Sequence, residues 1–289
     1  MPAVDQMLRA WARTHGNPPF WVVEKDYALS YLLAGIARVE ELWEGLILKG
    51  ATALRKMYFG DYRFSEDLNF STRQEMLVLD VDEVMGQAVG EMNGLLQEWG
   101  PFRVEMERLT LREPHPRGQD AFVVRVQFPA HRKALCRLKV EITRDEVVLL
   151  PPQQRALLHE FPEEKVKAGL WCYPLEEIVA EKLRALLQSH ARLQQRGWGA
   201  SRVCRDYYDL WHILGRSTLQ RDIIPSLVAQ KCAHRAVTFD SPVDFFAPAL
   251  VQVARKEWDR QLRPFVSDCP DAEQVLSELQ PLVMRIWAG

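Results

Sequence analysis

The stretch that most constrains this chain is Leu46 to Phe70, LILKGATALRKMYFGDYRFSEDLNF. The apolar run Leu46-Ile47-Leu48 predicts a buried strand. It stops at Lys49-Gly50, and Ala51 to Met57 reads as helix. Gly60 to Ser65 forms a polar turn. A second short strand then carries Asp67 and Asn69, two residues apart. Strand side chains alternate faces, so these two point the same way. Gly50 allows a tight strand-to-helix turn and a close approach of backbone to a phosphate. The N–H groups of Ala51 and Thr52 would meet that phosphate, and the Thr52 hydroxyl would add a hydrogen bond. Two oxygen ligands beside such a turn can hold a divalent metal and a phosphate chain.

Length and composition set the frame. A chain of 289 residues makes one large domain or two ordinary ones. With 47% apolar and 26% charged residues it has the composition of a soluble globular protein with a real core. The five cysteines are scattered without a CxxC pair, which argues against a zinc ribbon or disulfide framework and for a cytoplasmic location. No apolar run is long enough to span a membrane, and the first residues lack a signal-peptide core. The net charge of −2 means that any nucleic-acid surface must be a local one.

Taken in order, residues 2–15 and 20–39 predict helices. The Glu24-Lys25-Asp26 triplet in the second reads as a solvated helix start. After the opening stretch, 75–99 is helical and ends at Gly100-Pro101. Strands follow around 102–109, at 122–128 and at 137–143, with 112–120 a Pro- and Gly-rich loop. Residues 151–168 read as a connector. From Pro174 the pattern is helical, over 174–195, 203–216, 219–233, 242–262 and 271–287. The expected architecture is α+β: a mixed-sheet domain over 1–150 and a helical domain over 151–289.

Glu141 alternates with Val140 and Ile142. If its strand neighbours that of Asp67, it adds a third oxygen, for metal or as acceptor of a hydroxyl proton. Singly, such residues are ordinarily the wet face of a sheet. Lys182 falls within the apolar row Ile178-Lys182-Leu186, and Asp206 shares a face with Leu210, Ile213 and Leu214. Lysine is rarely buried without a partner. A structural Lys182–Asp206 pair and a lysine directed at nucleotide phosphates are both open. Between Glu181 and Arg205 six basic residues face one acidic residue, and Arg196-Gly197-Trp198-Gly199 forms a loop among them. Such a segment suits a nucleoside triphosphate or RNA. Arg132, Lys133, Arg137 and Lys139 form a second basic cluster. No GxSxG, HExxH or Walker A motif is present.

Four ordered motifs then resemble the AbiEii/AbiGii-type toxins, nucleotidyltransferase-like proteins that include the mycobacterial MenT group. They are KGATAL with RFSEDLN, preceded by EKDY; LKVEI around Glu141; EIVAEKL around Lys182; and RDYYDL, which holds Asp206 and Asp209. The resemblance covers roughly residues 20–215. It implies a polymerase-β-like nucleotidyltransferase core with a helical C-terminal domain. Asp67 would carry the metal role with Asn69 and Glu141, and Asp67, Glu141, Lys182 and Asp206 would be catalytic. Gly50, Thr52, Ser65, Lys182 and Asp209 would meet the nucleotide. Characterised members move nucleotides from a nucleoside triphosphate (NTP) to the tRNA acceptor end and are neutralised by an antitoxin encoded beside them. Mg2+, an NTP, tRNA and a cognate antitoxin are therefore the implied cofactor and partners. Ser65 occupies a position phosphorylated in some members. Two departures stand out: Gly50-Ala51 replaces Gly-Gly or Gly-Ser, and Asp67-Leu68-Asn69 replaces Asp-x-Asp. An uncharged Asn69 weakens the hold on metal. The alternatives are an enzyme that modifies protein by nucleotidylation or phosphorylation, and a catalytically weakened module that binds nucleotide or antitoxin.

Overall fold

A computed structural model describes residues 4–73, 80–110, 118–144, 146–161 and 166–288. The chain divides into two compact units. The first holds residues 1–146 and 152–173; the second holds 147–151 and 174–289.

The first unit is built on a mixed seven-stranded sheet. The strands are β1 (Leu46–Lys49), β2 (Asp67–Thr72), β3 (Arg103–Arg108), β4 (Gln119–Gln127), β5 (Cys136–Thr143), β6 (Gln153–Ala156) and β7 (Gly169–Cys172), in the spatial order β3-β4-β5-β2-β1-β7-β6. β2 runs parallel to β5 and β1 parallel to β7; the other neighbours are antiparallel. Alternation sorts the side chains of the central strands. Leu48, Leu68, Phe70, Val140 and Ile142 are all buried, and Asp67, Asn69, Lys139 and Glu141 take the opposite phase. Helices α1 (Val4–Thr14), α2 (Phe20–Arg38), α3 (Glu40–Gly45) and α5 (Val81–Gln97) belong to this unit. α2 is enclosed almost all round and packs on α5, β5 and β7. Gly35 makes the α2–α5 approach possible, because a Cβ there would sit 2.3 Å from the Ala88 carbonyl oxygen.

The second unit is helical among its described residues: α6 (Leu175–Arg196), α7 (Val203–Arg216), α8 (Ile224–His234), α9 (Pro248–Leu262) and α10 (Ala272–Trp287). Ala247-Pro248 interrupts the continuous helix expected over 242–262. A short 3-10 turn, Pro242–Phe246, precedes the break. Its proline has no N–H to continue the ladder.

Two expectations need correction. The boundary near residue 150 is too early, and 151–168 is more than a connector. Part of it forms β6, whose partner β7 extends the sheet beyond β1. Both strands are four residues long, and Gln153-Gln154-Arg155-Ala156 shows no apolar alternation to announce an edge strand. The second correction concerns Glu24-Lys25-Asp26. Glu24 and Asp26 are buried, not solvated. Residues 75–79, 112–117 and 162–165, within the expected helix, loop and connector, lie outside the described residues.

Candidate functional site

The site in the first unit is assembled at the junction of β1, β2 and β5. Parallel pairing sets Asp67 opposite Lys139 and Asn69 opposite Glu141, and antiparallel pairing sets Lys49 opposite Asn69. Residues directly opposite one another project from the same face. The sheet register thus gathers the three predicted oxygen donors Asp67, Asn69 and Glu141, together with two lysines. Lys139 Nζ is 2.6 Å from Glu141, and Lys49 Nζ is 3.6 Å from Glu146. Neither lysine contact was anticipated, although Lys139 and Glu141 two apart on one strand was a readable signal.

β1 passes into α4 (Gly50–Ala53) through Gly50, whose φ of +75° is left-handed. A Cβ there would meet only Asn69 Nδ2, at an ordinary 3.8 Å, so conformation and not space demands the glycine. The predicted helix is only four α residues long. Leu54–Phe59 widens into a π-helical turn, so the dipole behind the Ala51 and Thr52 N–H groups is small. Thr52 is buried. Its hydroxyl lies 2.6 Å from the Asp67 carbonyl oxygen and 2.8 Å from Ser65 Oγ. The Thr52 hydroxyl donates to the Asp67 carbonyl, which can only accept, and holds Ser65 Oγ within hydrogen-bond distance. Thr52 thereby ties α4 to the start of β2 instead of facing outward to a phosphate.

The π-helical turn carries what the sequence reading missed. Asp26, from α2, receives Arg55 Nε at 2.7 Å and Lys56 Nζ at 2.6 Å, and all three are buried. Arg55 also reaches Glu160 at 2.7 Å, the carbonyl of Gly60 at 3.2 Å and the carbonyl of Tyr62, and its guanidinium lies 3.9 Å from the Phe64 ring centroid. It thus fixes the turn that delivers Ser65 and Asp67. Burial pushes the Asp26 carboxyl up, but the charges and hydrogen bonds of Arg55 and Lys56 outweigh it and hold it below the usual aspartate value. The rest of the triplet braces the same region. Lys25 Nζ is 3.5 Å from Glu66, and Glu24 meets His131 at 2.5 Å. Burial raises the Glu24 carboxyl despite that histidine.

In the second unit, Lys182 on α6 bridges two carboxylates of α7: Asp209 Oδ2 at 2.5 Å and Asp206 Oδ1 at 2.9 Å. Asp209 is fully enclosed, whereas the Asp206 side chain keeps 22% exposure. The expected Lys182–Asp206 pair is present, and Asp209 makes it a triad. A second buried pair, Glu177 with Lys231 at 2.7 Å, escaped the sequence reading. Glu177 accepts the N–H groups of Leu149 and Leu150, and Lys231 donates to the Val147 carbonyl. This binds 147–151 to the helices.

Among the described residues, no three His, Cys, Asp or Glu side chains form a group that would hold a metal ion on their own. Magnesium is commonly held by one or two carboxylates plus substrate phosphates. Asp67 with the Asn69 carbonyl fits that arrangement, and a closed protein cage does not.

A mixed seven-stranded sheet with this register, followed by helices, is an α+β fold of nucleotidyltransferase type. It is similar to the structure of MenT4, a nucleotidyltransferase toxin from Mycobacterium tuberculosis H37Rv, with a TM-score of 0.65 and 21% identity over 96% of this chain and 89% of that one. The family model "Nucleotidyl transferase AbiEii toxin, Type IV TA system" matches residues 31–278. The chain belongs to that family, the nucleotidyltransferase toxins of type IV toxin–antitoxin systems. No protein with a curated description matches it in sequence. None of the helices is long and apolar enough to cross a membrane, among the described residues.

Proposed function

We propose that this toxin transfers a nucleotide from an NTP to the 3′ end of RNA, with the tRNA acceptor end as target. The observation that supports this most is the β2–β5 register, which places Asp67, Asn69 and Glu141 on one face beside the Gly50 turn. A ribose 3′-hydroxyl attacks the α-phosphorus, the bond to the β-phosphate oxygen breaks, and pyrophosphate leaves. Asp67 and the Asn69 carbonyl would hold Mg2+, assisted by Glu141. The ion, when bound, offsets the charge on the transferring phosphate. Glu141 would also take the hydroxyl proton. Lys182 is assigned to the triphosphate. Its two carboxylates hold the ammonium in one position, and Asp206 is the more accessible of the two. Gly50 would present backbone N–H groups to the nucleotide. Ser65 and Thr52 would keep the Asp67 strand in place, and Asp209 would serve the nucleotide through Lys182. Loss of aminoacylation would then halt translation, in the cytoplasm, until a cognate antitoxin intervenes.

The test is incubation of purified protein with labelled NTPs, Mg2+ and total RNA. Label is expected on RNA, and Asp67→Ala should reduce it by about a hundred-fold or more. Label on polypeptide instead would favour a protein acceptor. A folded protein that labels neither would point to a module whose chemistry has weakened at Asn69.

A further inference from the structure

Six basic residues lie between Glu181 and Asp206, and the structure sorts them. Lys182 is held by Asp206 and Asp209. Arg184 is buried and bonds Gln188. Arg205 donates to the Gln261 carbonyl and lies over the Phe265 ring. Arg192, Arg196 and Arg202 are all exposed, and the sequence has no acidic residue between Lys182 and Arg205. Trp198, in the same segment of the chain, is 63% exposed although large aromatic side chains are normally well covered.

The geometry of the loop holds that indole outward. α6 ends at Arg196 in a left-handed Gly197, φ +72°, whose N–H bonds the Leu193 carbonyl. Gly199, at φ +101°, is the second residue that only glycine adopts readily, and a Cβ on it would be 3.6 Å from Arg192 Cβ. The chain therefore doubles back along the last turns of α6, and buried Ala200 anchors it. Trp198 stands between two conformationally committed glycines. The Arg196 guanidinium lies 5.7 Å from its ring centroid.

We infer that this corner is a docking surface for an unpaired RNA segment, with Trp198 as the stacking platform and Arg192, Arg196 and Arg202 as its phosphate contacts. The inference rests on the reading of RNA as the acceptor. An indole face flanked by guanidinium groups takes any unstacked base, whatever its identity, and the arginines follow the backbone. A fully paired duplex offers phosphates but no exposed base face, so it would use only half of the surface. An acidic peptide would use the arginines and leave the indole idle.

The experiment uses the full chain and a fluorophore-labelled, mixed-sequence single-stranded oligoribonucleotide, with its blunt duplex as comparison. Binding is read by anisotropy over a salt series. The single strand is expected to bind more tightly than the duplex. Trp198→Ala should weaken it roughly ten-fold, whereas Trp198→Phe, which keeps a stacking face, should recover most of the loss. Replacing Arg192, Arg196 and Arg202 together by Gln should flatten the salt slope by about 2. NTP binding by the same variants should not change. Equal affinity of Trp198→Ala and the native chain for the single strand overturns the inference. So does an equal loss for duplex and single strand, or unchanged RNA binding together with lost binding to the cognate antitoxin. Nucleotide transfer measured in parallel separates the two readings. Native transfer to RNA with an unaltered RNA KM in Trp198→Ala removes the docking surface and leaves the function. Single-strand binding through Trp198 without any transfer leaves the surface and removes the function.

Discussion

Asp26 faces two cations in the interior, and neither has water to fall back on. Arg55 and Lys56 are both buried, and Glu160 meets Arg55 alone, so loss of the Asp26 carboxylate leaves an excess of buried positive charge. Asp26→Asn should therefore destabilise the protein by about 3–5 kcal/mol, read by urea unfolding. The pH dependence carries the same signature. The Asp26 carboxyl in the fold titrates below its ordinary 3.8, so the folded chain binds fewer protons than the unfolded chain as that value is approached. The gap between native and Asp26→Asn should be full above about 3.8 and close as pH falls through the lower folded value. Asn69 poses the opposite question. It faces Glu141, which Lys139 contacts, so the face is short of negative charge for a free metal. Asn69→Asp should raise the affinity for Mg2+ measured calorimetrically in the absence of NTP. No change would mean that the second position does not reach the ion. These residues also mark the limit of what a sequence shows. Asp67 and Asn69 were legible because a strand period of two is local. Asp26 was not, because its partners lie 29 and 30 residues away and a carboxylate early in a helix ordinarily faces solvent.

At the scale of elements, α6 and α7 meet through a charged seam. Lys182 was legible as a lysine in an apolar row, and Asp206 as an aspartate in another. Asp209 was legible only as part of a motif, because its enclosure depends on how the two helices cross. Its burial separates stability from chemistry. Lys182→Met leaves the Asp209 carboxylate enclosed beside a thioether, and should cost about 3–5 kcal/mol. Adding Asp209→Asn removes that enclosed charge and should restore most of that stability. Transfer activity should stay lost in the double variant, because the ammonium assigned to the triphosphate is still absent. Melting curves and label transfer on the same preparations check both statements. Recovery of activity along with stability would make Lys182 a purely structural residue. The short edge strand β6 shows the converse of the α6 pattern. Helical periodicity accumulates over many turns, whereas four residues of Gln, Arg and Ala carry no period at all.

For the whole molecule, the two units are not consecutive along the chain, and this sets which fragments fold. β7 lies against β1, and its surroundings are specific. The Tyr173 N–H bonds the Leu48 carbonyl, its hydroxyl lies 2.7 Å from Ser71 Oγ, its carbonyl accepts from Tyr58, and Trp43 donates to the Gly169 carbonyl. A fragment of residues 1–150 loses all four contacts and uncovers the apolar edge of β1, where Ile47 and Leu48 are buried. An exposed apolar edge strand templates association. Residues 1–173 keep the seven-stranded sheet complete. The fragment 1–173 should therefore be monomeric and unfold cooperatively, whereas 1–150 should aggregate, as read by size exclusion and circular dichroism. The helical part has the reciprocal requirement. Residues 174–289 lack 147–151, so Glu177 loses the Leu149 and Leu150 N–H groups and Lys231 loses the Val147 carbonyl. The Glu177–Lys231 pair would then remain enclosed with part of its hydrogen bonding unmet, which is costly in a low-dielectric interior. Adding a peptide of residues 146–152 in trans should raise the melting temperature of 174–289, and the same peptide should do nothing for a Glu177→Gln variant. An equal effect on both would show that 147–151 is held by something other than that carboxylate.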